Sequence, residues 1–224
     1  MFLGGKTEYQ IKSVKTEEKR VAITIDTAFG QTDHTREILA MLKEKGIPVT
    51  FAVMGIWAKE HPEEAREIAA SRAEIISHSH GHERYDGLSF EKVQADAKKA
   101  REDLKQNFGV ETNFIRVPYN ACGKETYQAL QEAGIVPIGF AVDAKDIESQ
   151  VEEIVDRVTE DVKPGDILLF QNNNPNAAPA MAEVIERLES LGYRFETVSS
   201  LLGEEGYTVN NSGVAVPLES PAKS

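Results

Sequence analysis

Residues 20–30 read "RVAITIDTAFG", Arg20 to Gly30. Val21, Ile23, Thr24 and Ile25 are β-branched, and the run closes on a carboxylate, Asp26, before a glycine turn. That pattern predicts a buried strand. The following stretch, "DHTREILAMLKEKG" (33–46), places Ile38, Leu39 and Leu42 at helical spacing and ends on Gly46, a residue suited to closing a helix. A second β-branched run, "IPVTFAVMG" (47–55), comes next. Strand, helix and strand in close succession form the unit of a parallel sheet, so these 36 residues (20–55) set the fold class.

The same alternation continues outward. "HPEEAREIAASR" (61–72) begins a helix with Pro62 at a first-turn position, and "AEIIS" (73–77) is a third strand. "LSFEKVQADAKKAREDLKQNFG" (88–109) is a long helix that a serine can cap, before a strand in "TNFIRVPYN" (112–120). "GKETYQALQEAG" (123–134) is helical, "IVPIGFAVD" (135–143) is a fifth strand and "IESQVEEIVDRVTEDV" (147–162) is helical. "GDILLFQ" (165–171), "APAMAEVIERLESLG" (178–192) and "YRFETVSSLL" (193–202) complete about seven units. The expectation is an α/β protein, a distorted (β/α)7 barrel rather than an open doubly wound sheet. Residues 1–17 read as an N-terminal edge extension, 18–202 as the domain, and 203–224 as a mobile or loosely packed tail.

The chain has 224 residues and a formal net charge of −12, which argues against nucleic acid and anionic membrane surfaces as partners and leaves neutral ligands such as sugars open. No apolar run approaches the ~20 residues of a membrane span, and "MFLGGKTEYQ" does not resemble a signal peptide. The single cysteine, Cys122, excludes an intramolecular disulfide and reads as a small buried side chain.

In parallel α/β folds the reactive groups gather at the C-terminal ends of the strands. Here those ends carry Asp26, His78, Arg116 with Tyr119, Asp143 with Asp146, and Gln171. Three of the chain's five histidines lie in "HSHGH" (78–82). His78 and His82 are four apart, a spacing that aims both rings one way in a helix or tight turn, while His80 points elsewhere. Paired neutral imidazoles are a common half of a zinc site, and a carboxylate would complete a hydrolytic one. The bland alternative is three exposed or capping histidines in a turn.

"TIDTAFG", "HSHGH", "RVPYN", "VDAKDI" and "GDILLFQN" occur in the order found in the polysaccharide deacetylases, the NodB-homology or carbohydrate esterase family 4 proteins. The resemblance covers roughly residues 18–202 and is nearest the sporulation-associated branch. It implies a distorted (β/α)7 barrel, a divalent metal (zinc foremost, cobalt or nickel otherwise), an N-acetylated cell-wall or chitin-like polysaccharide as substrate, and a secreted or cell-envelope location.

Residue by residue, the resemblance makes Asp26 the general base and His78 and His82 metal ligands. Arg116 aims Asp26, and the backbone N–H of Tyr119 helps bind the oxyanion. Asn120 stands where Gly is frequent. Asp146 orients the acid, and Tyr119, Asn120, Asp143 and Gln171 line the substrate. The motifs also depart from the family. Thr27 stands where the family has a carboxylate ligand, Ile147 replaces a Trp, and Gln171 replaces the catalytic histidine. Glutamine cannot titrate. Asp33 either swings back as the third ligand or caps the next helix, and His34 is either a substitute acid or an exposed residue at a helix start. Two readings follow: a metal-dependent deacetylase with a reduced or rearranged acid step, or a non-catalytic metal- and carbohydrate-binding relative. A hydrolase on a different amide is a third, supported by the missing Trp alone.

Overall fold

The computed structural model describes residues 7–147 and 149–218. Strands β1 (Ser13–Val14), β2 (Arg20–Thr27), β3 (Thr50–Val53), β4 (Glu74–Ser77), β5 (Phe114–Ile115) and β6 (Val136–Pro137) come first. They are followed by β7 (Val142–Asp143), β8 (Ile167–Gln171), β9 (Arg194–Glu196), β10 (Tyr207–Val209) and β11 (Val214–Pro217). The helices are α1 (Thr35–Lys45), α2 (Gly55–Glu60), α3 (Pro62–Ala70), α4 (Phe90–Phe108), α5 (Lys124–Glu132), α6 (Val151–Asp161), α7 (Ala177–Ser190) and α8 (Val198–Leu202).

The main sheet is parallel and runs β6-β5-β4-β3-β2-β8-β7, with β9 pairing the start of β2. β2 is its centre because Val21, Ala22, Ile23 and Ile25 are all fully buried, as a strand covered on both faces requires. Ile23, Ile25, Phe51 and Phe170 pack beneath Ile38, Met181, Val184 and Leu188 of α1 and α7. Ser89 caps α4 by accepting the Lys92 N–H, and Gly46 and Gly109 end α1 and α4 in left-handed conformations.

The fifth expected strand, residues 135–143, is two short pieces. β6 pairs with β5 at one end of the sheet and β7 with β8 at the other, so residues 138–141 join the two ends. Pro137 has no N–H to give, which favours a break in the ladder. Ile11 occupies the break: its N–H donates to the Pro137 carbonyl (3.0 Å) and its carbonyl accepts from Gly139 (2.7 Å).

The region after Gly203 differs from expectation. β10 and β11 form an antiparallel pair, and β11 pairs in parallel with β1. Ala215 is fully buried against Ile11 and Val14. Both chain ends therefore build one small sheet, a long-range pairing that local composition does not announce. Residues 1–6 of the expected extension and 219–224 of the expected tail lie outside the described residues.

Candidate active site

Along β2 the side chains alternate, so Thr24 and Asp26 share a face. Arg116, just beyond β5, meets both. Its Nη1 donates to Asp26 Oδ1 (2.7 Å) and its Nη2 to Thr24 Oγ1 (2.9 Å). Nε donates to the Ile138 carbonyl (2.8 Å) and Nη2 also to that of Gly139 (3.1 Å). The guanidinium is 1% exposed. Burial works against its charge, and Asp26 and Asp143 support it. Asp26 is thereby held in one pose by a charge-assisted bond.

His78 follows β4 and is buried. Its Nδ1 lies 2.9 Å from the Arg116 carbonyl, which can only accept, so Nδ1 carries a hydrogen and Nε2 is the nitrogen whose lone pair a metal would use. That Nε2 is 3.1 Å from His82 Nε2 and 3.6 Å from Asp26 Oδ2. The two rings meet edge to face, with centroids 4.7 Å apart. Left-handed backbone at Ser79 (φ 66°) and His82 (φ 61°) folds the loop back, and the His82 N–H donates to Ser79 Oγ (2.8 Å). Burial pushes His82 down to about 4, His78 adding to the shift and Asp26 opposing it, so the ring is neutral near pH 7. His80 turns away: Nδ1 sits 2.5 Å from Asp103 Oδ2 and its backbone N–H donates to Asp96 (3.1 Å).

Tyr119 lies in a short 3-10 turn with φ 58°, followed by Asn120 at φ 55°. The Tyr119 side chain is exposed. Its ring meets His82 edge to face at 4.7 Å, and the Arg84 guanidinium lies 5.4 Å from its centroid. Asp26 and Gln171 are register partners on adjacent strands, so their side chains leave the sheet on the same face. The Gln171 N–H donates to Asp146 Oδ2 (2.9 Å), whereas Asp146 Oδ1 is buried with no hydrogen-bond partner among the described residues. Burial raises Asp146 to about 7; the Gln171 N–H opposes the shift and the charges of Asp143 and Asp26 add to it. Asp143 accepts from the Lys145 N–H (2.9 Å).

The structure thus gathers Asp26, His78, His82, Arg116 and Tyr119, with Gln171 and Asp146 beside them. It does not bring Asp33 to the histidines. Asp33 Oδ2 accepts from Trp57 Nε1 (2.8 Å) and Asn172 Nδ2 (3.2 Å), and Oδ1 accepts the Thr35 N–H (2.9 Å) at the start of α1. Asp33 is neither the ligand nor the N-cap itself, which is His34; it stands one residue before the cap and accepts the first helical N–H. Thr27 is fully buried, its hydroxyl donating to the Ile25 carbonyl (3.3 Å). His34 is engaged by Thr32 (3.0 Å) and Glu37 (3.5 Å).

A divalent metal of the kind the motifs imply can be tested against these donors. The two Nε2 atoms stand 3.1 Å apart, and both could turn a lone pair to one ion once His82 carries its hydrogen on Nδ1. A third protein ligand is missing: among the described residues no group of three or more His, Cys, Asp or Glu is arranged to hold a metal ion. The carboxylate paired with His78, Asp26, is already held by Arg116. The residues fit half of a catalytic metal site and do not complete it.

A family model described as "Polysaccharide deacetylase" matches residues 13–138, more than half of the chain. The chain belongs to the polysaccharide deacetylase family. It is 28% identical over 202 residues to a peptidoglycan-N-acetylglucosamine deacetylase of Bacillus cereus, covering 88% of this chain and 94% of that one. It is 27% identical over 199 residues to a chitooligosaccharide deacetylase of Rhizobium leguminosarum bv. trifolii, covering 88% of each. In structure it matches a carbohydrate esterase family 4 pseudoenzyme of Bacillus anthracis at a TM-score of 0.82 and 23% identity, over 87% of this chain and 69% of that one. At that identity the likeness shows the fold alone, the NodB-like distorted (β/α)7 barrel.

Sequence reasoning missed several partners of this family's site. Thr24 was findable, since it shares Asp26's face two residues earlier. Trp57, which claims Asp33, and Gln10, whose side chain reaches Asn120, gave no local signal.

Proposed function

We propose that the protein binds an N-acetylated polysaccharide of the cell-wall or chitin type at the C-terminal rim of its sheet, and that its deacetylation chemistry is much reduced. The observation that carries this reading is Asp146. Its Oδ1 is buried without a partner among the described residues, beside Gln171, at the place where the family's catalytic histidine would donate a hydrogen bond. With no imidazole there, nothing at this position protonates a leaving amine, a loss worth ~10²–10⁴ in rate. Thr27 in place of a carboxylate ligand, and Asp33 bound to Trp57, support the same conclusion.

Asp26 remains placed to accept a proton from water, and Tyr119 to offer its N–H toward an acetyl oxygen. A divalent ion, when bound, would polarise that oxygen; His78 and His82 would be its protein ligands, and zinc, cobalt and nickel all suit imidazole. The relatives named as peptidoglycan and chitooligosaccharide deacetylases support an N-acetylated glycan and a secreted or envelope location. No helix among the described residues is long and apolar enough to cross a membrane. The pose of Asp26 against Arg116 favours a second reading, full metal-dependent N-deacetylation.

Acetate release from chitin oligosaccharides and peptidoglycan separates the two. The wild type, Gln171→His and Thr27→Asp/Gln171→His are compared with and without added zinc, beside calorimetric binding of the oligosaccharide. The wild type should bind and release acetate at least ~10²-fold more slowly than the double variant. A wild type as fast as the double variant, and silenced by Asp26→Asn, would establish the second reading instead.

A further inference from the structure

We infer that Gln10, from the N-terminal segment, is a positioning residue that holds the Tyr119–Asn120 turn and so sets the preference for an N-acetylated over a free-amine sugar. The role rests on the glycan-binding reading above and extends it to a residue far from the motifs.

The turn needs a holder. Tyr119 and Asn120 are consecutive non-glycine residues in left-handed conformation, which costs ~1–2 kcal/mol for each ordinary side chain. Asn tolerates that region better than Tyr, and at position 120 it also supplies a handle. The Gln10 amide Nε2 donates to Asn120 Oδ1 across 110 residues of sequence. Gln10 is 1% exposed, and its Oε1 is buried without a partner among the described residues, so the side chain is committed to the turn through its amide nitrogen. A buried amide with one end unmet is expensive and calls for a reason.

Gln10 is itself firmly placed. Glu8 donates to the Asn211 carbonyl (2.9 Å), Ile11 to Pro137 (3.0 Å) and Lys12 to Gly213 (2.8 Å). Two glycines make room for it. A Cβ on Gly139 would come within 3.0 Å of Gln10 Cβ, and one on Gly213 (φ 76°) within 2.5 Å of the Gln10 carbonyl oxygen. Residue 10 is thus clamped between the break in the main sheet and the C-terminal hairpin. Through Asn120 that rigidity passes to Tyr119, whose ring rests on His82. The small sheet built from both chain ends is in this way a buttress for the site.

The test is calorimetric titration of an N-acetylglucosamine tetramer and its fully de-N-acetylated counterpart into the wild type, Gln10→Ala, Asn120→Gly and the double variant. Glycine keeps the left-handed turn accessible while cutting the link from the other side. Each single variant should lose about tenfold of the preference for the acetylated sugar, the loss of one hydrogen bond's worth of positioning. The double variant should lose no more than either single one, a non-additivity that general destabilisation does not produce. Gln10→Ala with wild-type preference, or losses that simply multiply in the double variant, would overturn the role while leaving glycan binding intact. A wild type that binds neither sugar would remove the glycan reading and this role with it.

Discussion

Asp146→Asn should change how stability depends on pH. The Asp146 carboxyl is fully buried, accepts the Gln171 N–H, and titrates at about 7 instead of 3.8. Between those values the folded protein holds a proton that the unfolded chain has released. Stability therefore falls as pH rises from about 4 to about 7, and is flat with respect to this group on either side. At 1.36 kcal/mol per pH unit the full contribution is about 4 kcal/mol. The asparagine variant has nothing to titrate there. Its amide brings a constant offset of its own, so the informative quantity is the change in the difference between the two proteins. Urea unfolding at pH 4, 5, 6, 7 and 8 gives it directly. The variant should gain several kcal/mol on the wild type between pH 4 and pH 8. Gln171→His, by offering the carboxylate an N–H partner, should flatten the wild-type slope in the same direction. Parallel curves for wild type and Asp146→Asn would refute the buried, half-satisfied carboxyl and the argument built on it.

Arg116→Ala should cost ~3–5 kcal/mol in urea unfolding, because it strands Asp26 and two carbonyls that the guanidinium satisfies. Asp33→Ala should cost ~1–3 kcal/mol by leaving Trp57 Nε1 without its acceptor. Trp57 is the single tryptophan, so its emission should shift in that variant, while zinc uptake measured by calorimetry at the His78–His82 pair stays unchanged.

Much of the barrel was legible because its parallel strands are short, buried and β-branched, and its helices carry apolar residues at helical spacing. β2, α1 and α4 follow directly from such local patterns. The break at Pro137 and the pairing of β1 with β11 depend on contacts between distant segments, and no window of sequence contains them. The site divides along the same line. Asp26, His78 and Arg116 stand at strand ends, where topology alone collects them. Asp33 has the right chemistry for a ligand, yet its fate is decided by Trp57, 24 residues on, and by Asn172, distant in sequence but just past β8, the neighbour of β2 in the sheet.

The same distinction bears on what Asp26 signifies. From sequence, a retained and aimed carboxylate speaks for a working enzyme, since a binding protein has no use for a base. In the structure the aim has a second origin. Arg116 sits at the joined ends of the sheet and satisfies the Ile138 and Gly139 carbonyls and Thr24, contacts that concern the barrel rather than a substrate. A guanidinium buried there requires a counter-charge, and Asp26 provides it; removing one partner of such a pair costs more than the pair itself contributes. Asp26 is therefore retained under a folding constraint whether or not a water is ever activated. On the reading proposed above, the departures that bear on the chemistry are therefore Thr27 and Gln171, and Asp26 does not decide between the two readings.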